Sequence, residues 1–141
     1  MTEEETRKIY EDYYAALMAK PFDLEKVVSF WADDIYYEDM AFEYICRNKA
    51  ETRDFFIKSW AVWSSNILEI TWFLVNKNRL ACEWIWIIED TGTKIHGVSI
   101  QELNAEGKIK WGRDYYDLFH KFQIAQQSGL SADAFWKKLK L

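Results

Sequence analysis

The chain has 141 residues but only one proline, five glycines and two cysteines. Cys46 and Cys82 lack CxxC spacing, and two thiols are too few for a disulfide scaffold. Free buried thiols in a cytoplasmic protein are expected. No apolar run reaches the roughly 18 residues of a membrane span, so no membrane partner is expected. The acidic start, MTEEETRK, lacks the pattern of a secretory signal. Lys and Arg number 18 against 23 Asp and Glu, a net charge of −5. That balance excludes the basic footprint of a general nucleic-acid binder. There is no GxGxxG, no P-loop and no Gly-x-Ser-x-Gly elbow. Two histidines and two scattered cysteines offer no metal-ligand spacing. Any enzyme built on this chain is expected to work without metal or cofactor.

What is abundant is aromatic. Phe, Trp and Tyr make up 18% of the chain, with eight tryptophans. Half of all residues are apolar, so disorder is excluded and a full core is expected. The length fits a single domain over 1–141.

The periodicity divides the chain. Thr2 and Glu5 have capping-box spacing, and Tyr10, Tyr13, Tyr14 and Leu17 then recur at helical intervals. Pro21 stops that helix. Asp23 caps a short second helix with Leu24, Val27, Val28 and Trp31 inward. Ala32 to Met40 is a strand by composition, and Asn48 with Glu51 starts a third helix. From Ile67 the period becomes two. Strands are expected over Ile67–Val75, Leu80–Ile88, Lys94–Leu103 and Lys108–Phe119, the last pair joined by a G1-bulge turn at Gly107. Ser131 can cap a C-terminal helix over 131–141. Helices followed by a meander give an α+β class. A curved antiparallel sheet packed on three N-terminal helices would form a cone with an interior apolar pocket.

Trp111-Gly112-Arg113-Asp114-Tyr115-Tyr116-Asp117-Leu118, after Glu106-Gly107-Lys108-Ile109, resembles the closing strand of limonene-epoxide-hydrolase-like proteins. Tyr37-Glu38-Asp39-Met40 resembles a second block of the same group. These belong to the SnoaL-like, ketosteroid-isomerase-like superfamily, also named after nuclear transport factor 2. The resemblance implies the cone fold, frequent homodimers and an acid/base site inside the cone. Asp114 matches the aspartate of the closing strand, Tyr37 a water-positioning tyrosine, and Asp39 the place of an asparagine. The arginine and second aspartate of the epoxide-hydrolase relay are replaced by Trp84 and Trp86.

Strand parity supplies an independent expectation. Asp114 inward would bring Lys110, Gly112 and Tyr116 to its face. Trp84 and Trp86 inward would bring Cys82 and Ile88. On the third meander strand the apolar even set, His96, Val98 and Ile100, is expected inward. Pairing Asn104 with Lys108 then sets Val98 opposite Asp114 and His96 opposite Tyr116. The expected catalytic set is Asp114, His96, Asp39 and Tyr37. The expected substrate-binding set is Trp84, Trp86, Tyr116, Val98, Ile88 and Trp60. Burial among indoles would raise the pKa of Asp114 toward neutrality.

The expected function is a cofactor-free acid/base enzyme. It would isomerise, cyclise or ring-open an apolar small molecule of terpenoid, polyketide or steroid type. One alternative is epoxide hydrolysis by Asp114 with a positioned water. Another is a non-catalytic ligand-binding or dimerisation module, favoured if Trp60, Trp84 and Trp86 fill the cone.

Overall fold

A computed structural model describes residues 1–90 and 92–117. The expected C-terminal helix over 131–141 and His120 lie outside the described residues.

Among the described residues, three helices and six strands alternate little. Helix α1 (Glu3–Met18) is followed by α2 (Leu24–Val28), strands β1 (Trp31–Asp39) and β2 (Tyr44–Cys46), and helix α3 (Lys49–Ser59). Strands β3 (Asn66–Asn76), β4 (Arg79–Ile88), β5 (Thr93–Leu103) and β6 (Ile109–Tyr116) complete the order. The capping box of α1 forms as the spacing predicts: the Glu5 amide donates to the Thr2 hydroxyl at 3.1 Å, and the Thr2 amide donates to the Glu5 carboxylate at 2.6 Å. Asn48 caps α3 by accepting from the Glu51 amide at 2.9 Å. Trp31 is buried, but it opens β1 rather than extending the second helix. The short strand β2 was not expected from the sequence, because three residues carry no readable period.

All strands join one curved, open sheet in the order β2-β1-β6-β5-β4-β3. Neighbours are antiparallel except β1 and β6, which run parallel with Tyr37 beside Gly112 and Asp39 beside Asp114. This parallel pair brings two distant sequence blocks to one place. The core joins Tyr10, Tyr13, Tyr14 and Leu17 of α1 to Leu80, Cys82, Trp84, Trp86 and Ile88 of β4. The ion pairs Lys8–Asp12, Arg53–Glu25 and Lys58–Asp54 each have at least one partner open to solvent and contribute little, because water screens them. Burial of the aromatic face therefore carries most of the stability.

The register of the last hairpin departs from expectation. The turn forms as expected, with the Asn104 amide donating to the Lys108 carbonyl at 2.8 Å and Gly107 at φ 75°. Leu103 then pairs with Ile109, but Glu102 pairs with Trp111. Lys110 is an extra residue in β6, a β-bulge. It turns outward, and its ammonium meets the Glu102 carboxylate at 2.7 Å. Beyond the bulge every pairing is shifted by one: Ser99, not Val98, faces Asp114, and Gly97, not His96, faces Tyr116. Directly paired residues share a face, so the odd set of β5 points inward. Thr93, Ile95, Gly97, Ser99, Gln101 and Leu103 are buried, whereas His96 and Ile100 are exposed and Val98 is half-buried on the outer face. The expected inward set of β5 is thus corrected, and Lys110 leaves the Asp114 face.

Two inner-face glycines make room for aromatic rings. A Cβ on Gly97 would sit 2.2 Å from Cη2 of Trp84, which lies across the strand. A Cβ on Gly112 would sit 2.9 Å from Cδ2 of Tyr37. Replacing Gly97 by alanine should therefore cost about 1–3 kcal/mol through overpacking. Urea unfolding of Gly97→Ala, alongside wild type, measures that loss; unchanged stability would mean that the Trp84 ring moves aside freely.

Candidate active site

Four elements wall one cavity. Helix α1 contributes Tyr13, Tyr14 and Leu17, and α3 contributes Thr52, Phe55, Phe56 and Ser59 at one-face spacing. Trp31, Ile35, Tyr37 and Asp39 come from β1, and Trp84, Trp86, Ser99, Gln101, Asp114 and Tyr116 from the sheet floor. The cavity volume is about 100 Å³. Water occupies about 30 Å³ per molecule in the liquid, so the cone is narrowed but not filled. Trp60, Trp84 and Trp86 narrow it: Trp60 stacks on Trp86 at 5.3 Å and on Phe56 at 6.0 Å. Asn66 fixes that stack. Its carboxamide accepts from the Trp86 indole at 2.8 Å and donates to the Trp60 carbonyl at 2.9 Å.

Asp114 lies on the polar strip of the floor. One carboxylate oxygen accepts a hydrogen bond from the Tyr37 hydroxyl. The other accepts from the Ser99 hydroxyl at 2.6 Å. The Trp84 indole donates to that same serine oxygen at 2.8 Å. With its lone pair so engaged, the Ser99 hydroxyl is directed at Asp114. The flat approach of Tyr37 and Trp84 depends on Gly112 and Gly97, so the glycines set the carboxylate's two donors in place. Arg113 pairs with Glu38 at 2.9 Å and Lys110 with Glu102 at 2.7 Å, both away from Asp114. Burial raises the Asp114 pKa to about 7. The carboxyl is thus poised to give and take a proton near neutrality.

A second pair crosses the first. Asp39 is 3% exposed; it accepts from the Tyr116 hydroxyl at 2.5 Å and from the Phe42 amide at 3.0 Å. Burial and the neighbouring carboxyls of Asp39 and Asp114 push the Tyr116 phenol well above its ordinary value, so it stays protonated. Because β1 and β6 are parallel, Tyr37 reaches from β1 to Asp114 while Tyr116 reaches from β6 to Asp39. Among the described residues, two carboxyls line this cavity and no Arg, Lys or His does.

The expected residues fall into two groups. Asp114, Asp39, Tyr37, Tyr116, Trp84, Trp86 and Trp60 converge on the cavity. Ile88 faces inward but is fully buried in the core, off the cavity wall. His96 and Val98 face outward and lie off the cavity wall, for the reason the bulge gives. His96 is therefore no partner for Asp114. Ser99 and Gln101 were missed because their polarity reads as solvent exposure. The signal that could have found them is the glycine at position 97, which matches the size of an inward Trp84 ring.

The SnoaL-like domain model matches residues 10–111. The chain belongs to the SnoaL-like domain family. The matched span holds Tyr37, Asp39, Trp84, Trp86, Ser99 and Gln101 and ends before Asp114. The chain is 28% identical over 116 residues to Cyclase aurE of Calcarisporium arbuscula, covering 77% of this chain and 85% of that one. The fold is similar to that of an LEH-like epoxide hydrolase from M. tuberculosis, with a TM-score of 0.69 and 19% identity over 89% of this chain and 92% of the other. It is also similar to a structure designated a SnoaL-like polyketide cyclase from Shewanella putrefaciens CN-32, with a TM-score of 0.72 and 11% identity over 86% and 85% of the two chains. At these identities the solved structures share the fold. This chain of the SnoaL-like family carries indoles, Trp84 and Trp86, on the inward positions of β4.

The raised pKa of Asp114 links stability to pH with a definite sign. The unfolded chain releases this proton near 3.8, whereas the folded chain keeps it to about 7. Between those values the folded state binds more protons, so this contribution to stability is full below about 4 and lost as pH rises to 7. At 1.36 kcal/mol per unit the loss is at most about 4 kcal/mol. Asp114→Asn should flatten that slope in urea unfolding between pH 4 and 8. Tyr37→Phe, which removes a donor to the anion, should move the carboxyl's NMR titration midpoint upward. A midpoint near 4 in wild type would overturn the assignment.

Proposed function

We propose that this protein is an acid/base cyclase or isomerase acting on an apolar small molecule of terpenoid, polyketide or steroid type. The observation that carries the reading is the Asp114 carboxyl. It is buried, held by two hydroxyl donors, and poised near pH 7 on the wall of an aromatic cavity. The relative named a cyclase supports the reaction class.

In this reading Asp114 enters the cycle protonated. It gives its proton to a double bond or to an oxygen of the substrate. The cation so formed closes a ring or shifts a double bond, and the carboxylate takes back a proton, so the product is an isomer of the substrate. Tyr37 and Ser99 hold the carboxylate in one orientation through the cycle. The cavity lining suits positive charge: it holds two carboxyls and aromatic faces. A desolvated cation over an aromatic face gains about 2 kcal/mol or more. Trp60, Trp84, Trp86 and Tyr116 would shape the bound conformer and keep water out.

Epoxide hydrolysis is the second reading. It is favoured by the alignment of Asp39 beside Asp114, two carboxyls that could share the work on a positioned water. The indoles at Trp84 and Trp86, where that reaction's relay has its charges, weigh against it. We further propose one domain over 1–141, a cytoplasmic location and a homodimer. The free buried thiols support the location. Exposed Trp72 and Tyr115 on the sheet support the dimer, which light scattering tests.

The reading is tested with a panel of polyene, prenyl and epoxide substrates in H₂¹⁸O. A cyclase or isomerase gives an unlabelled isomer, and in D₂O a carbon-bound deuterium enters where the acid protonates a double bond. A diol carrying ¹⁸O would install the second reading instead. Asp114→Asn should fold normally and lose about 10²–10⁴-fold in turnover. Turnover equal to wild type would remove Asp114 from the chemistry.

A further inference from the structure

Gln101 is 4% exposed and lies on the cavity floor, two residues along β5 from Ser99. Its carboxamide oxygen is buried and has no hydrogen-bond partner among the described residues. The side-chain stem packs over Gly112: its Cγ is 3.5 Å from where a Cβ on that glycine would be. Neighbouring inner positions are filled by Leu80 and Leu103, fully buried leucines, so an apolar side chain would suit this face. A buried carboxamide left unpaired carries an uncompensated desolvation cost, and such groups call for an explanation. The helical wall of the same cavity carries a second such group. The Tyr14 hydroxyl is buried against the weak thiol of Cys82 and has no oxygen or nitrogen partner among the described residues.

We propose that Gln101 and Tyr14 form a polar subsite that binds a hydroxyl group of the substrate, one rung of the sheet from Asp114. A hydroxyl fits the open carboxamide oxygen and the weakly partnered phenol. It donates to the carboxamide oxygen of Gln101 and accepts from the phenol of Tyr14. Successive inward residues of a strand are about 7 Å apart. The substrate is therefore an apolar ring or chain carrying a hydroxyl about 7 Å from the atom that Asp114 protonates. Unfunctionalised hydrocarbons are discriminated against, since they leave the carboxamide oxygen unpaired and the phenol with only a thiol beside it. This assignment rests on the acid/base reading for the role of Asp114, but the subsite itself does not require catalysis.

Phenol and toluene, alike in shape and different in one hydroxyl, are the probes. Both are titrated by NMR into wild type, Gln101→Met, Tyr14→Phe and Asp114→Asn. Phenol, but not toluene, should shift the side-chain NH₂ resonances of Gln101 in wild type. Its affinity should fall about five- to tenfold in Gln101→Met and less in Tyr14→Phe, while toluene binds all proteins within twofold. Gln101→Met should also unfold at higher temperature than wild type, which separates loss of binding from loss of fold. In Asp114→Asn the phenol affinity should hold, so the subsite can stand even if the catalytic assignment falls. Equal phenol affinity in wild type and Gln101→Met would overturn the proposal, as would failure of phenol to bind wild type. Phenol binding lost in Asp114→Asn alone would also overturn it and leave the acid/base reading intact.

Discussion

The site depends on two aromatic rings lying flat against β-strands, and that is possible only where the strand has no Cβ. Tyr37 crosses over Gly112 to reach Asp114. Trp84 crosses over Gly97 to reach Ser99, which turns its hydroxyl to the same carboxylate. A glycine in a strand interior weakens it, having no side chain to pack. Here the rings restore the lost packing and carry polar tips to an otherwise apolar interior. One arrangement thus serves both links of the chain from sequence to function. It fills the core, and it fixes the geometry of the Asp114 carboxyl, whose pKa is raised to about 7.

The bulge at Lys110 is the second constraint, and it decides which side chains share the cavity. Period-two patterning makes a strand legible but leaves its face ambiguous by one residue. The even set of β4 could be read correctly because Cys82, Trp84, Trp86 and Ile88 alternate with Glu83 and half-buried residues. The opposite holds for β5: its outer face carries Val98 and Ile100, and its inner face carries Ser99 and Gln101. A cavity wall inverts the usual polarity rule, so patterning alone points the wrong way. Only pairing across the hairpin fixes the face, and one bulged residue changes that pairing. The three described helices, their caps and the four long strands were legible because each rests on local signals. Asp114, Asp39 and Tyr37 were legible through the motif they sit in. The parallel β1–β6 contact, the Ser99 link and the place of His96 depend on non-local register, which no local signal carries.

The electrostatics of the cavity narrow the chemistry it can support. A cone that stabilises an oxyanion needs donors or cations aimed at the developing charge. The described wall offers two carboxyls, each already accepting hydrogen bonds, and faces of indole and phenol. The phenol hydroxyls nearest Asp114 on the sheet, Tyr37 and Tyr116, are committed to those carboxyls. Such a wall is better matched to a proton donated outward and a cation held among rings. The charged relay expected of an epoxide hydrolase would need a cation on β4, where Trp84 and Trp86 stand instead. The same substitution that removes the relay supplies the faces a cation would use.

Unpaired polar groups sharpen that view. Most of a protein interior satisfies its hydrogen bonds, and exceptions concentrate where function requires them. The floor of this cone shows both conditions within one rung of sheet. Both carboxylate oxygens of Asp114 accept hydrogen bonds from hydroxyls, which rigidifies the group that must hold its geometry. Around Gln101 the carboxamide oxygen is left open. Other buried polar atoms without a partner among the described residues, such as the Thr6 and Tyr10 hydroxyls, lie away from the cavity. Gln101 and Tyr14 lie on its walls, beside the engaged strip rather than within it. Rigid chemistry next to vacant recognition is the arrangement expected of a site that fixes its catalyst and waits for its ligand.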